Sequence, residues 1–551
     1  MNNGSRFPIR RRLLFSFSLL RHILCMKRGR AVRIKRKTIA YAAGVLACGN
    51  LALQALGFVY RIILSRYAGA EGLGVYRLVN SAYLVLHAGC LSGVTMACSR
   101  LSAVYEARGE HQRVGAVLRL AFSIFLTLCI SCAAAVLLFG DEIAAGLLGD
   151  ARCARAFPFM VLCLLLTGVE NIFKALFIGL EQMQYTAYSE VGEQLVRIFS
   201  VGWLLRHDQS GDYGVTAMLI FAGMVISEIF SALFLTGLFR RSTRHHPFGG
   251  RVDTATVRRF LGIAVPLSAA SLIGNAIGSA GAVLLPQRLM AAGMRYDQAL
   301  AALGVISGMA MPLLLLPSAL VSSVCTALLP AVTAAQATGQ QTRVRALVGR
   351  AVMTVGLIGL PATAVLIPLA PSLCMLFFNQ PLTQEYVFLL GAAVAVCYYQ
   401  MLSNGLLNAL GLQKWSVVTG TGAELLQLAL LYDWCARPMW GIYGYLLAML
   451  LTGAAAFAVD LCILYRHTGF SLHPLRRFGV PVVCAITLYA WTRWFYTILL
   501  YRWGSAPGAA FGALCGAVGI YVLVLRLFGI RLVRYLTRRM ESHSKPRLCI
   551  W

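Results

Sequence analysis

Apolar and polar positions alternate along this chain in long blocks. From Thr38 onward, apolar runs are separated by short basic or acidic segments. A run of about 20 apolar residues crosses the hydrocarbon only as an α-helix, because lipid offers the backbone polar groups no other partner. The pattern predicts an all-α polytopic membrane protein with about 14 transmembrane helices, at 38–63, 77–98, 115–139, 156–179, 185–205, 214–239, 259–285, 299–329, 349–377, 385–410, 415–434, 440–465, 478–500 and 506–528.

Charges between the apolar runs predict the orientation. Arginines follow the predicted helices 77–98, 214–239, 299–329 and 440–465, and both chain ends are basic, whereas the other loops carry more acids. Cytoplasmic loops of membrane proteins are enriched in lysine and arginine. The even-numbered loops and both termini are therefore predicted to be cytoplasmic.

The sequence contains an internal repeat. The segment 107–116 recurs as 337–346, an offset of about 230 residues, and Tyr213-Gly214 recurs as Tyr443-Gly444 at the same offset. This offset spans six predicted helices, an even number, so both halves keep one orientation and are related by a pseudo-twofold axis along the membrane normal. A substrate site between two lobes that rock against each other is the expected arrangement.

The repeat predicts a domain organisation of two six-helix lobes followed by a helix pair. The predicted segments are a basic cytoplasmic N-terminal segment at 1–37, an N-terminal lobe at 38–240, a basic cytoplasmic linker at 241–258, a C-terminal lobe at 259–466, the last two helices at 478–528, and a basic cytoplasmic tail at 529–551. Met26 offers a second plausible start directly before the first long apolar run.

Composition agrees with a membrane solvent. Of the 551 residues, 59% are apolar and 13% are charged, whereas about 25% of a soluble domain is charged. The basic residues behind the net charge of +29 lie in short stretches between apolar runs and at both chain ends, which favours anionic membrane lipids as partners over nucleic acid. The cysteines are scattered within apolar runs, so neither a disulfide framework nor a zinc site is indicated.

Several ionisable residues lie within predicted helices, where each costs several kcal/mol unless it is paired or hydrated. Glu193 and Arg197 are one turn apart on one face of the helix 185–205. They form either an interhelical salt bridge that orders the lobe or part of a site. Glu424 is near the duplicated position of Glu193, so both are predicted to face the same central space.

Two further sets of ionisable residues lie within predicted helices, and the first is interpreted as structural. Glu170 and Lys174 are one turn apart and are predicted to neutralise each other. Glu228 and Asp460 are predicted to lie nearer the cytoplasmic end, at the membrane interface.

Basic residues occur at matching places in the two predicted lobes. Arg61 is predicted to end the first helix, Arg77 follows it, and Arg288 ends the seventh helix. They either extend to lipid headgroups or line a cavity that binds an anionic, phosphate-bearing substrate. The predicted substrate-binding set is Asn50, Arg61, Arg77, Asn80, Glu193, Arg197, Arg288 and Glu424.

Motifs of catalysis are missing from the sequence. There is no Walker-type glycine loop, no HExxH and no GxSxG. The chain is therefore predicted not to be an enzyme, and no catalytic residue, metal ligand or cofactor is assigned.

The stretch GFVYRIILSRYAGAEGLGVYRL at 57–78, together with the duplicated layout, resembles the oligosaccharide and polysaccharide flippase branch of the multidrug/oligosaccharidyl-lipid/polysaccharide exporter superfamily. Within it, the chain looks most like the stage V sporulation protein B type, a group related to the lipid II flippase. The resemblance implies a V-shaped pair of lobes, and two additional helices that form a groove for a lipid tail.

The resemblance also implies a function in the bacterial cytoplasmic membrane. Such proteins move undecaprenyl-diphosphate-linked sugars, either a peptidoglycan precursor or a polysaccharide repeat unit, to the outer leaflet, with cell-wall synthesis enzymes as possible partners. Arg61, Arg77 and Arg288 are the nearest counterparts of basic residues in the family.

The alternative on the same scaffold is a multidrug cation antiporter that uses Glu193 and Glu424. Drug-exporting relatives often carry a coupling acid in the first or seventh helix. This chain has Asn50 and Gln54 in the first helix and no acid in the seventh. That departure weakens the antiporter interpretation.

Overall fold

The predicted apolar runs form long helices. The computed structural model describes residues 36–243, 252–382, 384–470 and 475–527, and no strand occurs in these ranges. The predicted N-terminal segment up to residue 35, residues 244–251 of the linker and the tail 529–551 lie outside them. The helices are α1 (Arg36–His87), α2 (Gly93–Ala107), α3 (His111–Leu138), α4 (Phe157–Gly179), α5 (Met183–Arg206), α6 (Tyr213–Thr243), α7 (Thr254–Ala291), α8 (Tyr296–Leu303), α9 (Ser318–Ala337), α10 (Gln341–Phe378), α11 (Gln384–Ala409), α12 (Gln413–Trp434), α13 (Gly441–Thr468), α14 (Val480–Trp503) and α15 (Ala506–Leu527).

Shorter helical segments continue or join these helices. A π-helical segment at Ala88–Ser92 links α1 to α2, and another at Gly304–Ala310 continues α8 into a helical turn at Met311–Leu314. The remaining short segments are a helical turn at Gly140–Glu142, π-helical segments at Ile143–Leu147 and Leu475–Gly479, and a 3₁₀ helix at Ala151–Ala156.

The all-α membrane fold is confirmed, but the predicted count of about 14 spans is not. Across the described ranges, 12 helical stretches are long and apolar enough to cross a membrane, and the stretch Ala52–Ala107 counts among them once. The helices α5 and α12 form close to their predicted positions but are not among the 12, because they carry charged side chains such as Glu193 and Glu424. The total of about 14 crossings stays a prediction.

The boundary predicted between the first two helices is wrong. The chain stays helical on both sides of Gly69, which forms a kink with φ 67° and ψ −176°, so no loop separates a helix 38–63 from a helix 77–98. Glycine adopts this positive φ without the steric cost that a Cβ would impose. Arg61 and Arg77 each lie eight residues from Gly69, about 12 Å along the helix. Both arginines therefore lie within α1, and the prediction that Arg61 ends the first helix is wrong.

The single helix predicted at 299–329 is also wrong. Helical structure that begins at Tyr296 ends at Leu314, and α9 begins at Ser318 after a turn over residues 315–317. Pro317 lacks a backbone N–H and disfavours helical geometry at Leu316 before it, which explains the break. The turn places Leu315 and Leu316 on the wall of a cavity described below.

The chain forms two compact units, Met1–Cys48 and Gly49–Trp551, and all contacts described here lie within the second. In it, α4, α5 and α6 pack together in the first half, while α10, α11 and α13 pack together in the second. The last helices, α14 and α15, pack on α10 through a cluster that includes Leu357, Cys484 and Val524. The predicted lobe boundaries stay a prediction.

Small residues allow helices of the two halves to approach closely. A Cβ added to Gly74 on α1 would lie 2.7 Å from Leu300 Cγ on α8, so only glycine fits there. On the other side of the cavities, the Gly93 N–H of α2 donates to Ser268 Oγ of α7 at 3.1 Å. Between these two contacts the halves separate and leave internal space.

Candidate functional site

Two polar cavities lie where α1 faces helices of the second half. One, the α1–α8 cavity, has a volume of about 400 Å³ and is lined by residues that include Gln54, Phe58, Arg61, Arg77 and Ser307. The other, the α1–α7 cavity, has a volume of about 370 Å³ and is lined by Arg77, Ser81, Asn275, Ser279 and Glu424, among others. Arg77 lines both cavities and joins them into one candidate site.

Arg61 and Arg77 have free guanidinium groups. In the part of the chain that the structure describes, neither has an ion pair or a hydrogen-bond partner, and both side chains are exposed to the cavity space. A guanidinium presents five N–H donors in a planar fork that matches a carboxylate or phosphate. The two arginines, about two helical turns on either side of the Gly69 kink, can therefore bind an anion inside the protein.

The remaining polar groups of the α1–α7 cavity suit a hydroxyl-rich ligand. Ser279 donates to the Ser81 carbonyl at 2.8 Å, and the Asn275 amide donates to the Ser271 carbonyl at 2.9 Å, which leaves the amide oxygen as an acceptor. Glu424 is exposed on this wall and forms no ion pair with a described residue. Two arginines and one glutamate give the combined site a formal charge of +1.

Arg288 does not belong to this site, contrary to prediction. Its guanidinium carbon lies 3.3 Å from the centroid of the Tyr432 ring on α12, and its Nε is buried without a hydrogen-bond partner. A cation over an aromatic face is attracted by the ring quadrupole. The sequence did not reveal this contact, because the two residues are 144 positions apart.

Of the two asparagines in the predicted substrate-binding set, only Asn80 has a side chain that the structure describes. The Asn50 side chain lies outside the described part of the structure. Asn80 is half-buried on α1 and lines neither cavity.

Glu193 and Arg197 belong to a buried network of five charges, here called the α4–α6 network: Glu170, Lys174, Glu193, Arg197 and Glu228. Lys174 pairs with Glu170 and, at 3.2 Å, with Glu193; Arg197 pairs with Glu193 and, at 2.8 Å, with Glu228. The predicted pairs on α4 and α5 are thus joined across three helices.

This network corrects two predictions. Glu193 is 9% exposed and engaged within the first-half helices, so it does not share a cavity with Glu424. Glu228 is 3% exposed in the network, and Asp460 is buried between helices, where it accepts hydrogen bonds from Ser403 and Thr419 at 2.6 and 2.7 Å. Both acids are buried rather than exposed to headgroups, because each finds polar partners on neighbouring helices that its own segment does not reveal.

A second polar group, which the sequence did not single out, closes the end of the molecule near Gly69. The Tyr296 hydroxyl at the start of α8 donates to Asp150 Oδ2 at 2.8 Å. Arg152 donates to both oxygens of Asp150 and, at 2.9 Å, to Glu71 of α1. The Arg66 guanidinium also donates to the Phe377 carbonyl of α10 at 2.9 Å. These bonds join the two halves beyond the cavities.

Electrostatics make this closure stable at neutral pH. Burial raises the pKa of Asp150, but hydrogen bonds from Arg152 and Tyr296 outweigh it, so the pKa is lowered overall. A carboxyl with a lowered pKa in the folded protein stabilises it above the usual aspartate range, and that contribution is lost as the pH falls through the lowered value. Asp150 therefore keeps the charge that strengthens these hydrogen bonds except in strong acid.

Comparison with known proteins places these features in a family. The model of the family described as polysaccharide biosynthesis protein matches residues 40–336. The chain is 23% identical to stage V sporulation protein B of Bacillus subtilis (strain 168) over 507 residues, which is 90% of this chain and 96% of that protein. It is 22% identical to lipid II flippase MurJ of the same organism over 519 residues, 86% of this chain and 92% of the relative.

Solved structures share the fold at lower sequence identity. A structure of lipid II flippase MurJ in an inward closed conformation superposes with a TM-score of 0.66 at 12% identity, covering 88% of this chain and 98% of that one. An inward-facing multidrug resistance MATE family transporter superposes with a TM-score of 0.61 at 12% identity, covering 76% and 98% of the two chains.

Proposed function

The chain belongs to the polysaccharide biosynthesis protein family, and from that membership we propose that it is a flippase. Its substrates are undecaprenyl-diphosphate-linked sugars, a peptidoglycan precursor or a polysaccharide repeat unit, which it moves across the bacterial cytoplasmic membrane by alternating access. The observation that carries the proposal is that Arg61 and Arg77, which form no ion pair with a described residue, both line a polar cavity between the two halves. The relatives named stage V sporulation protein B and lipid II flippase MurJ support it.

The chemistry of the cavities fits such a substrate. Arginine forks bind phosphate oxygens with charge-assisted hydrogen bonds, and the serine and asparagine groups of the α1–α7 cavity are suited to sugar hydroxyls. The diphosphate and the sugar of the substrate would lose too much hydration to cross hydrocarbon unaided. The protein supplies this polar path while the polyprenyl tail stays in lipid.

The driving force needs no nucleotide. An inside-negative membrane potential favours outward movement of an anion by about 2.3 kcal/mol per charge per 100 mV. A diphosphate carries more than one charge, so the potential alone favours its export by several kcal/mol. Enzymes that build or polymerise the sugar chain are the partners on either side of the membrane.

Alternating access requires the closure at Asp150 and Tyr296 to open. Tyr296→Phe removes one inter-half hydrogen bond to a charged carboxylate, which is worth about 1.5–3 kcal/mol, so opening of this end becomes about 10- to 100-fold more frequent. We expect a cysteine at position 307, on the cavity wall, to react correspondingly faster with a membrane-impermeant maleimide applied outside intact cells.

The matched control is Tyr443→Phe. Tyr443 also donates to a carboxylate, Glu385, at 2.5 Å, but both residues belong to second-half helices. Its loss leaves the labelling rate at position 307 unchanged. A gating role for Tyr296 would be contradicted if both variants accelerated labelling at position 307 equally, or if Tyr296→Phe did not accelerate it.

Substrate choice tests the proposed function. Liposomes with purified protein are loaded with a fluorescent polyprenyl-diphosphate sugar, the same sugar on an uncharged lipid, or a zwitterionic phospholipid. We expect only the diphosphate-linked sugar to change leaflet faster than in protein-free liposomes, because only it engages Arg61 and Arg77. Equal movement of all three would show non-specific scrambling instead.

One observation favours a cation antiporter as the second candidate. Glu424 is an unpaired carboxylate on the cavity wall and could attract a cationic drug. This alternative expects lower dye accumulation in pump-deficient cells that express the protein, with the effect lost in Glu424→Gln. Dye accumulation that is the same with and without the protein would reject it.

A further inference from the structure

The α4–α6 network carries an unbalanced charge. It contains three carboxylates, Glu170, Glu193 and Glu228, and two cations, Lys174 and Arg197, for a formal charge of −1. The three glutamates are 2%, 9% and 3% exposed. An uncompensated charge at this burial is strongly unfavourable, and buried groups normally neutralise instead.

The network also has unused acceptors. Both oxygens of Glu193 and one oxygen each of Glu170 and Glu228 accept from Lys174 or Arg197. The second oxygens of Glu170 and Glu228, both Oε2, are buried without a hydrogen-bond partner in the described part of the chain. Two buried carboxylate oxygens thus lack a donor in a network that lacks one positive charge.

We infer that Glu170 and Glu228 together bind one proton. A single proton on this pair makes the network neutral and turns one unused oxygen into a donor to the other. Oxygens of Glu170, Glu193 and Glu228 lie within 4.8 Å of one another, so the acids are close enough to share it. A metal cation fits less well, because the remaining carboxylate oxygens already bind Lys174 and Arg197, leaving too few of the several oxygen ligands that hard cations require.

The surroundings strengthen this inference. The other titratable groups that interact electrostatically with the network are Tyr60, Tyr76 and Tyr83 on α1, Cys163 on α4 and Glu190 on α5. Of these only Glu190 is a carboxylic acid, and it is half-buried, so none of the other groups supplies a positive partner.

The network and the cavity have neighbours in common on α1. Tyr60 and Tyr76 on α1 interact with Arg197 of the network and also with Arg61, which lines the α1–α8 cavity. Loss of the proton would leave the network with a net negative charge in the neighbourhood of the cavity arginines. The charge state of the network can therefore adjust how strongly the cavity holds an anion, whichever lipid-linked anion is carried.

Infrared spectroscopy of the full chain in lipid nanodiscs tests the site. We expect the carbonyl stretch of a protonated carboxyl at neutral pH, its loss as the pH is raised, and its absence in both Glu170→Gln and Glu228→Gln. Each glutamine replaces the protonated acid by a neutral amide that can donate the same hydrogen bond, so both variants should fold. Glu110→Gln, which alters the exposed pair with Arg113, is the control and keeps the band.

Two results would overturn the inference. One is the absence of a protonated-carboxyl band from the native protein at neutral pH, or its retention in both glutamine variants. The other is thermal stability that rises with sodium over choline at constant ionic strength and pH, in native protein but not in Glu170→Gln. That result would assign the site to a metal cation.

Discussion

Arg77→Ala slows flipping of the diphosphate-linked sugar by about 10- to 100-fold. Hydrogen bonds to charged groups contribute about 1.5–3 kcal/mol, and each 1.4 kcal/mol is a factor of about ten. Arg77 should have the largest effect of the cavity residues, because it lines both cavities and has no other partner among the described residues. The rate is measured with purified protein in liposomes.

Two controls separate charge from shape and from stability. Arg77→Lys keeps the charge but loses the two-pronged geometry, so it should retain part of the activity. Arg343→Ala removes an exposed arginine that donates a hydrogen bond to Gln340 and lines neither cavity, and it should leave the rate unchanged. Full activity of Arg77→Ala in a folded protein would remove Arg77 from the proposed binding site.

Arg197→Met lowers the free energy of unfolding by about 3–5 kcal/mol. Arg197 is the partner of both Glu193 and Glu228, and its loss leaves buried carboxylates uncompensated. Thermal unfolding in detergent, followed by circular dichroism, measures the effect. The loss should shrink as the pH is lowered, because protonation of the glutamates then replaces the missing cation.

The control for Arg197→Met is a variant of another arginine that forms an ion pair at the protein surface. Arg437 pairs with Asp433 at 2.8 Å, with side chains 60% and 56% exposed, so Arg437→Met should cost at most about 1 kcal/mol. Adding Glu193→Gln to Arg197→Met should recover part of the stability by removing one uncompensated charge. Similar losses for Arg197→Met and Arg437→Met would mean that water reaches the α4–α6 network.

The positions of most helices could be predicted from the sequence, because a long apolar run in lipid has no other backbone solution. The errors are at Gly69 and Pro317, where one residue sets the local backbone. The helix continues through the kink at Gly69 but is interrupted by the turn at Pro317, and the pattern of apolar residues does not distinguish the two cases. Fewer than 14 stretches qualify as spans, because α5 and α12 carry charged side chains and the first two predicted helices are continuous.

The candidate site was predictable only in part. Arg61 and Arg77 are close in sequence, and their presence in a common cavity follows from the kink that folds α1 between them. The positions of Arg288 and Glu193 depend on Tyr432, Lys174 and Glu228, which other helices supply. A single sequence shows which polar residues are buried in apolar runs but not which of them meet.

Flipping under an imposed membrane potential tests the central claim most directly. Liposomes carry the purified protein and a fluorescent undecaprenyl-diphosphate-linked sugar, with a potassium gradient and valinomycin to set the potential. We predict movement of the lipid toward the positive side, at a rate that increases with the potential and is lost in the Arg61→Ala, Arg77→Ala double variant. Movement that is absent, or independent of both the potential and the two arginines, would contradict the account.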